Sequence, residues 1–300
     1  MNLINNTIVQ FVKILPKSVV YLFAKKYIAG KTLPAALKTT KALNSKGILA
    51  TIDVLGESVT TKKEAITAKN EILEVLQAIY DNKLDSNVSI KPTQLGLLID
   101  KEFCYSNVKE IVRKAKELNN FIRIDMEDSP TTDLIIELYR RIKNEFENVG
   151  IVLQAYLKRT IEDVKQLNKE GSHYRLCKGI YIEPADIAYK KKQEIRDIFM
   201  KDIELMLDNG NYVGIGTHDK YLIEKSYKMI KEKNIPNNKF EFQMLYGVKE
   251  NLRDKINADG YKIRIYVPFG EQWYAYSMRR LQENPVMAWH ITKSIFTFGR

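Results

Sequence analysis

Eight short apolar runs recur along the chain, at 47–55, 88–92, 121–127, 151–156, 174–179, 212–218, 240–247 and 263–267. After each run the apolar residues return every three or four positions. Short runs bounded by turn residues read as strands, and the spacing that follows each reads as a helix. Behind the first run, Thr61 and Glu64 stand at capping-box distance, and Ile66, Leu73, Leu76 and Tyr80 supply a helical stripe. Further helices are predicted around 107–118, from Ser129-Pro130-Thr131 through Leu134, Leu138 and Ile142, over 161–169, over 185–207, around Leu222, Tyr227 and Ile230, and near 250–258. The last begins at once after Pro268 and Gly270 interrupt the eighth run. Strand–helix alternation repeated eight times predicts an α/β chain folded as a (β/α)8 TIM barrel. Residues 1–44 read as an N-terminal helical extension and 45–300 as one barrel domain, because no linker or low-complexity tract divides them.

Polar residues cluster where such barrels carry their chemistry, at the C-terminal ends of the strands. Lys91, Asp125 with Glu127, Gln154, Arg175 with Lys178, Thr217 with His218, Gln243 and Tyr266 all fall there. Charges in internal strands are costly unless paired or bound to a ligand. Taken singly, each reads equally well as a structural ion pair, and His218 as a capping histidine. Asp125 and Glu127 share one side of a strand, so either suits a brace for Lys91 or Arg175. Seven polar strand ends converging on one mouth point to a ligand site. In the last helix Tyr276, Arg279 or Arg280, and Glu283 lie on one face. Two adjacent guanidiniums there form either a solvated basic helix end or a two-pronged clamp for a carboxylate or phosphate. Lys91, Arg175, Lys178, Arg279 and Arg280 outnumber Asp125 and Glu127, which favours an anionic ligand over magnesium. Lys178-Gly179 at a strand end allows close backbone approach. No Gly-x-Gly-x-x-Gly after a strand and no phosphate loop appear, so a nucleotide cofactor is not held in Rossmann fashion.

Composition narrows the class. The 48 Lys+Arg exceed 37 Asp+Glu by 11, but the lysines are scattered, which argues against a nucleic-acid role. Two distant cysteines, Cys104 and Cys177, suit a reducing cytoplasm rather than a disulfide framework, and three dispersed histidines argue no metal centre. Near the N-terminus Lys13, Pro16 and Lys17 interrupt apolar stretches at 8–12 and 19–24. That segment is too broken to span a bilayer and reads as an amphipathic brace, or a surface contact with the cytoplasmic (inner) membrane.

The chain resembles the proline dehydrogenase family, flavin enzymes on a distorted (β/α)8 barrel, and among them the monofunctional bacterial members. The resemblance runs over about 45–285. It is carried by Thr-Ile-Asp-Val-Leu-Gly-Glu (51–57), Ile-Arg-Ile-Asp-Met-Glu-Asp (122–128), Gln-Ala-Tyr-Leu-Lys-Arg (154–159), Arg-Leu-Cys-Lys-Gly (175–179), Gly-Thr-His-Asp (216–219), Gln-Met-Leu-Tyr-Gly (243–247) and Tyr-x-x-Arg-Arg-x-x-Glu-Asn (276–284). No aldehyde dehydrogenase half lies in these residues. The resemblance implies FAD-dependent oxidation of L-proline to 1-pyrroline-5-carboxylate, with electrons passed to a quinone and a downstream 1-pyrroline-5-carboxylate dehydrogenase as partner. It implies that Lys91, Arg279 and Arg280 hold the substrate carboxylate and that Tyr266, Tyr276 and Leu176 wall its ring. Asp125 and Arg175 match catalytic positions. Met126, Gln154, Arg175, Lys178, Gly179, Ile180, Thr217 and His218 match FAD contacts, with Ile180 departing from the family's common alanine. The sequence names no base for the substrate amine. A flavin barrel of the methylenetetrahydrofolate reductase type is the alternative enzyme, and a basic binding protein for nucleic acid or membrane the non-enzymatic one. The paired arginines favour an amino-acid carboxylate over a pterin.

Overall fold

The computed structural model describes residues 17–283, apart from the side chains of Ser18, Val19, Leu22, Phe23 and residues 279–283. Eight strands form the barrel: β1 (Leu49–Val54), β2 (Ser86–Ile90), β3 (Ile122–Ile124), β4 (Val149–Gln154), β5 (His173–Cys177), β6 (Tyr212–Gly216), β7 (Phe240–Leu245) and β8 (Ile263–Phe269). They pair in parallel in chain order, and β8 closes onto β1. Two helices precede them, α1 (Lys17–Ala24) and α2 (Leu33–Asn44). Those that follow the strands are α3 (Lys62–Asp81), α4 (Lys101–Glu117), α5 (Thr132–Lys143), α6 (Thr160–Asn168), α7 (Lys192–Asp208), α8 (Lys220–Glu232), α9 (Glu250–Ala258) and α10 (Trp273–Glu283). None of the described helices is long and apolar enough to cross a membrane.

Strand parity explains both the core and the site. Side chains along a strand alternate between faces. On one parity stand Ala50, Ile52 and Val54, then Val88 and Ile90, Ile122 and Ile124, and so on to Ile263, Ile265 and Val267. All are buried in a single core shared with the surrounding helices. On the other parity stand Thr51, Asp53, Ser89, Arg123, Arg175, Glu241 and Gln243, also buried, and Tyr266, which is half-buried. The barrel is therefore greasy outside, beneath its helices, and polar within.

The seam between β8 and β1 is where the barrel departs from regularity. The flank there is covered by α2, which packs on both strands and buries Ala36, Thr40 and Leu43. Pro34 in its first turn suits a helix start, where a backbone N–H has no intrahelical partner. The helix after β8, α10, packs chiefly on α1. Val20, Ala24, Tyr27 and Ile28 join Leu55, Trp273, Tyr276 and Met278 in a second, smaller cluster. Ala29 N donates to Pro268 O at 2.9 Å and Gly270 N to Gly30 O at 3.1 Å, tying this N-terminal segment to the end of β8. Gly247, at φ +72, faces Lys26 O so closely that a Cβ would lie 1.7 Å from it.

Several sequence expectations need correcting. The Thr61–Glu64 capping box is present, but the buried stripe of α3 is Ala65, Ala68, Ile72, Val75, Leu76 and Ile79. Of the expected stripe, Leu76 is buried and Leu73 packs against the core, whereas Ile66 and Tyr80 at its ends are exposed. Helix α4 starts six residues before position 107, because Asp100 caps it by accepting from Phe103 N at 3.0 Å. Helix α7 starts at Lys192 rather than 185, since Ala188 is bridged to Leu157 and Tyr189 N donates to Tyr156 O at 2.8 Å. Strand β8 runs through Pro268 to Phe269, with Pro268 level with Asp53 of β1.

Candidate active site at the strand ends

A closed set of charges sits at the C-terminal end of the barrel. Arg175, inward on β5, donates Nη1 to Asp125 Oδ1 at 2.9 Å and to Ser89 Oγ at 3.2 Å, and Nε to Gln243 Oε1. Asp125 follows β3 and extends its pairing by one bond, its N donating to Ile90 O at 2.9 Å. Its Oδ2 accepts from Tyr266 Oη at 2.7 Å. Lys91, directly after β2, donates to Asp53 Oδ1 at 2.6 Å and to Tyr266 Oη at 3.3 Å, and lies 3.9 Å from Asp125 Oδ2. The Arg175 guanidinium lies 5.3 Å from the centre of the Tyr266 ring. Five residues from five strands or strand ends thus join two cations, two carboxylates and a phenol, all largely out of water.

Their electrostatics follow from burial. Desolvation alone would lower the Lys91 pKa, but Asp53 and Asp125 more than offset it and hold the ammonium above its ordinary value. Asp53 is raised by burial and by Asp125, in spite of Lys91. Tyr266 is raised well above the usual phenol range by burial and by the two carboxylates, so it is a hydrogen-bond donor at neutral pH. Glu127 does not share Asp125's environment. The strand ends at Ile124, and Glu127 turns back to accept from Thr93 N at 2.9 Å and from Thr93 Oγ1. Burial pushes its carboxyl up to about 7.

A second group occupies the neighbouring ends of β4, β5 and β6. Gln154 donates Nε2 to Glu127 O at 2.8 Å, and Met126 is buried between β3 and that turn. Lys178, with Nζ 3.6 Å from Asp219, leaves much of its side chain exposed at the rim. Gly179 has φ +111, and a Cβ there would meet Cδ1 of Tyr156 at 2.1 Å, so only glycine fits. Ile180 is half-buried beside it. Thr217 N donates to Gln243 O at 3.1 Å, and its Oγ1 accepts from Asp219 N at 3.1 Å. His218 Nε2 accepts from Leu245 N at 2.7 Å, which puts the ring proton on Nδ1.

Of the expected site residues, Lys91, Asp125, Arg175 and Tyr266 meet in one set, and Met126, Gln154, Lys178, Gly179, Ile180, Thr217 and His218 lie on the neighbouring strand ends. Leu176 lies between inward-facing Arg175 and Cys177 and is fully buried in the helix-side core, so it walls nothing in the mouth. Leu245 is the leucine of matching parity: two residues after Gln243, half-buried, and level with Tyr266. Asp53 was overlooked as a site residue, and with it the mouth is not net positive among the described residues. Lys91, Arg175 and Lys178 face Asp53, Asp125 and Glu127. The expected positive excess rests on Arg279 and Arg280. Their backbone belongs to α10, but their side chains lie outside the described residues. Tyr276 is buried in the small cluster that joins α10 to α1 and to Leu55 at the end of β1. A polar cavity of about 550 Å³ lies at the opposite end of the barrel, lined by Arg123, His173, Glu241 and Arg264 among others. It is walled mainly by strand beginnings.

A model of the family described as proline dehydrogenase matches residues 36–291. The chain is 39% identical over 274 residues to Proline dehydrogenase 1 of Bacillus subtilis subsp. natto, an alignment covering 91% of both chains. It is 34% identical over 267 residues to the proline dehydrogenase of Deinococcus radiodurans, covering 87% of this chain and 86% of that one. Among solved structures, proline utilization A from Bdellovibrio bacteriovorus, inactivated by N-propargylglycine, superposes over 87% of this chain with a TM-score of 0.81 at 28% identity. This chain spans 32% of the length of that protein. The barrel, the arrangement at its mouth and these matches agree: the chain belongs to the proline dehydrogenase family.

Proposed function

We propose that this protein is an FAD-dependent proline dehydrogenase that oxidises L-proline to 1-pyrroline-5-carboxylate and passes the electrons to a quinone, the first step of proline breakdown. The observation that carries the reading is the buried set Lys91–Asp53 and Arg175–Asp125–Tyr266, assembled from separate strands at one rim. The overall change is balanced. L-Proline loses a hydride from the ring CH2 next to nitrogen, not from the carbon bearing the carboxylate, and a proton from nitrogen, and the quinone leaves as the quinol.

The strand ends of β4 to β6 suit a flavin dinucleotide chemically. Lys178 offers a rim cation for a pyrophosphate, Thr217 and His218 are polar groups on the adjoining strand end, and Gln154 is an amide at the mouth. The glycines at 179 and 216 keep that arc free of side chains; a Cβ on Gly216 would lie 2.8 Å from Leu176 O. Bound FAD supplies the hydride acceptor, which no side chain of the protein offers. The protein's own residues do the rest. Arg279 and Arg280 hold the substrate carboxylate with Lys91, which is kept charged by its two carboxylate neighbours. Tyr266, Tyr276 and Leu245 exclude water from the ring and set its face, so that the reacting carbon is held close to its acceptor. Asp125 holds Arg175 and Tyr266 in place. It is engaged by three donors or cations, which disfavours it as the base for the amine; free substrate already deprotonated, or water, serves that step. The product passes to a 1-pyrroline-5-carboxylate dehydrogenase, and quinone access is at the surface of the cytoplasmic membrane.

The purified protein should be yellow, and L-proline should bleach it in the absence of oxygen. A colourless protein, or bleaching by a tetrahydrofolate derivative and not by proline, overturns the proposal.

A further inference from the structure

Beneath Arg175 the barrel interior holds polar groups that run from the mouth to the cavity at the opposite end. Glu241 and Gln243 lie two residues apart on β7, so both point inward, and both are buried. Arg264 on β8 donates Nε to Glu241 Oε1 at 2.6 Å and Nη1 to Ala50 O at 2.7 Å. Gln243 donates Nε2 to the same carboxylate oxygen at 2.6 Å, while its Oε1 accepts from Arg175 Nε. An ionised carboxylate only accepts, and a guanidinium only donates. The amide between them therefore has one workable orientation, nitrogen towards Glu241 and oxygen towards Arg175. Burial pushes the Glu241 carboxyl up, but the neighbouring Arg264 and the donors from Gln243 and Tyr212 outweigh it and hold the group below its ordinary range. It is ionised at neutral pH. Gly214 on β6 makes the room: a Cβ there would lie 2.5 Å from Gln243 Nε2 and 2.8 Å from Cδ.

We infer that Gln243 is a positioning residue for the oxidation: turned by the Glu241–Arg264 pair and seated by Gly214, it fixes the plane in which Arg175 meets Asp125. Nη1 alone carries the Arg175 contacts to Asp125 and Ser89, and a guanidinium held at one nitrogen can pivot about it. The bond from Nε to Gln243 is the second point that removes the pivot. The inference rests on Arg175 acting at the reacting centre, as in the function proposed above.

The test combines arginine side-chain NMR with kinetics. In the wild-type protein the Arg175 Nε–Hε signal, assigned by its loss in Arg175→Lys, should exchange with water at least about tenfold more slowly than those of exposed arginines. Gln243→Met should shift that signal and speed its exchange about tenfold. It should also lower kcat by about ten- to a hundredfold with KM for proline changed far less, as expected when an aligned group loses its alignment. Glu241→Gln, which keeps volume but lets the amide turn round, should move the Arg175 signal and kcat in the same direction by smaller amounts; a purely space-filling role for β7 predicts no movement. Fast exchange of Arg175 in the wild-type protein overturns the inference whether or not the variants fold. So does a folded Gln243→Met protein with unchanged exchange and kcat. The NMR readout needs neither proline nor FAD. A protected Arg175 in a protein that fails to oxidise proline would thus strike the proposed reaction and leave the positioning intact.

Discussion

Glu127 is the residue whose removal should most plainly stabilise the protein, and the reason is electrostatic. Its carboxylate is buried behind the turn that follows β2. Its two protein contacts come from Thr93, N donating at 2.9 Å to one oxygen and Oγ1 to the other. Burial, offset only in part by the Thr93 bonds and Lys91, raises its pKa from 4.5 to about 7. The folded protein therefore binds this proton more tightly than the unfolded chain does. Below pH 4.5 the group is protonated in both states and carries no penalty. As pH rises through the folded value, stability is lost, and above about 7 the loss is complete. At about 1.4 kcal/mol per pH unit, the span from 4.5 to about 7 amounts to roughly 3 kcal/mol. Glutamine keeps the volume and both bonds, its carbonyl accepting from Thr93 N and its amide nitrogen donating to Thr93 Oγ1, and it removes the charge. Glu127→Gln should match the wild type near pH 4 and exceed it by up to roughly 3 kcal/mol at pH 8. Urea unfolding followed by circular dichroism at several pH values measures the difference, in which all other titrating groups cancel. A difference that is flat with pH, or a variant weaker than wild type at pH 8, refutes the reasoning.

The other perturbations act on the charged set and its surroundings. Asp53→Ala leaves Lys91 buried with Asp125 3.9 Å away as its remaining acid, and should cost about 3–5 kcal/mol in urea unfolding; Asp53→Asn should cost less. Asp125→Asn should lower the rate while leaving both limbs of the rate–pH profile where they were, and loss of one limb would identify Asp125 as the base. Gly179→Ala forces a Cβ into the Tyr156 ring at φ +111 and should lower stability by at least about 1 kcal/mol together with flavin content, read by thermal denaturation and absorbance. Arg279→Met should weaken proline binding by about 2 kcal/mol or more in an anaerobic titration, and an unchanged affinity would remove this residue from the carboxylate clamp.

The barrel was legible because its strands announce themselves as apolar runs and its helices as period-3.6 stripes, and eight repeats leave few alternatives. Boundaries were less legible wherever a single side chain decides them. Asp100 starts α4, and the bridge from Ala188 to Leu157 delays α7; neither shows in apolar spacing. Polar strand ends pointed to the mouth, but parity was the information needed to assign roles. Leu176 follows Arg175 and so must face the helices, whereas Leu245 follows Gln243 by two and must face inward. Counting from Arg175 and Gln243 was enough to find both. Asp53 sits inside a run of apolar residues, where an isolated acid looks like the end of a strand; its partner lies 38 positions along the chain. The packing of α10 on α1, with α2 against β1 and β8, left no local trace either.

A polar barrel interior also decides which cations remain available to a ligand. Lys91 and Arg175 are each already met by a carboxylate within 3 Å, and Lys178 leans towards Asp219, which Arg196 holds through two bonds at 2.8 and 2.9 Å. Bringing an uncompensated carboxylate beside Lys91 and Arg175 adds a negative charge next to Asp53 and Asp125, and in a buried site that repulsion is weakly screened. The extra positive charge has to come from outside the barrel wall. In the function proposed above it comes from positions 279 and 280 on α10, whose described residues pack mainly against the N-terminal segment. Anything that loosens the cluster of Val20, Ala24, Tyr27, Trp273, Tyr276 and Met278 should then weaken proline binding before it weakens the barrel. The contrary order, in which the barrel melts while affinity for proline persists, would place the clamp elsewhere.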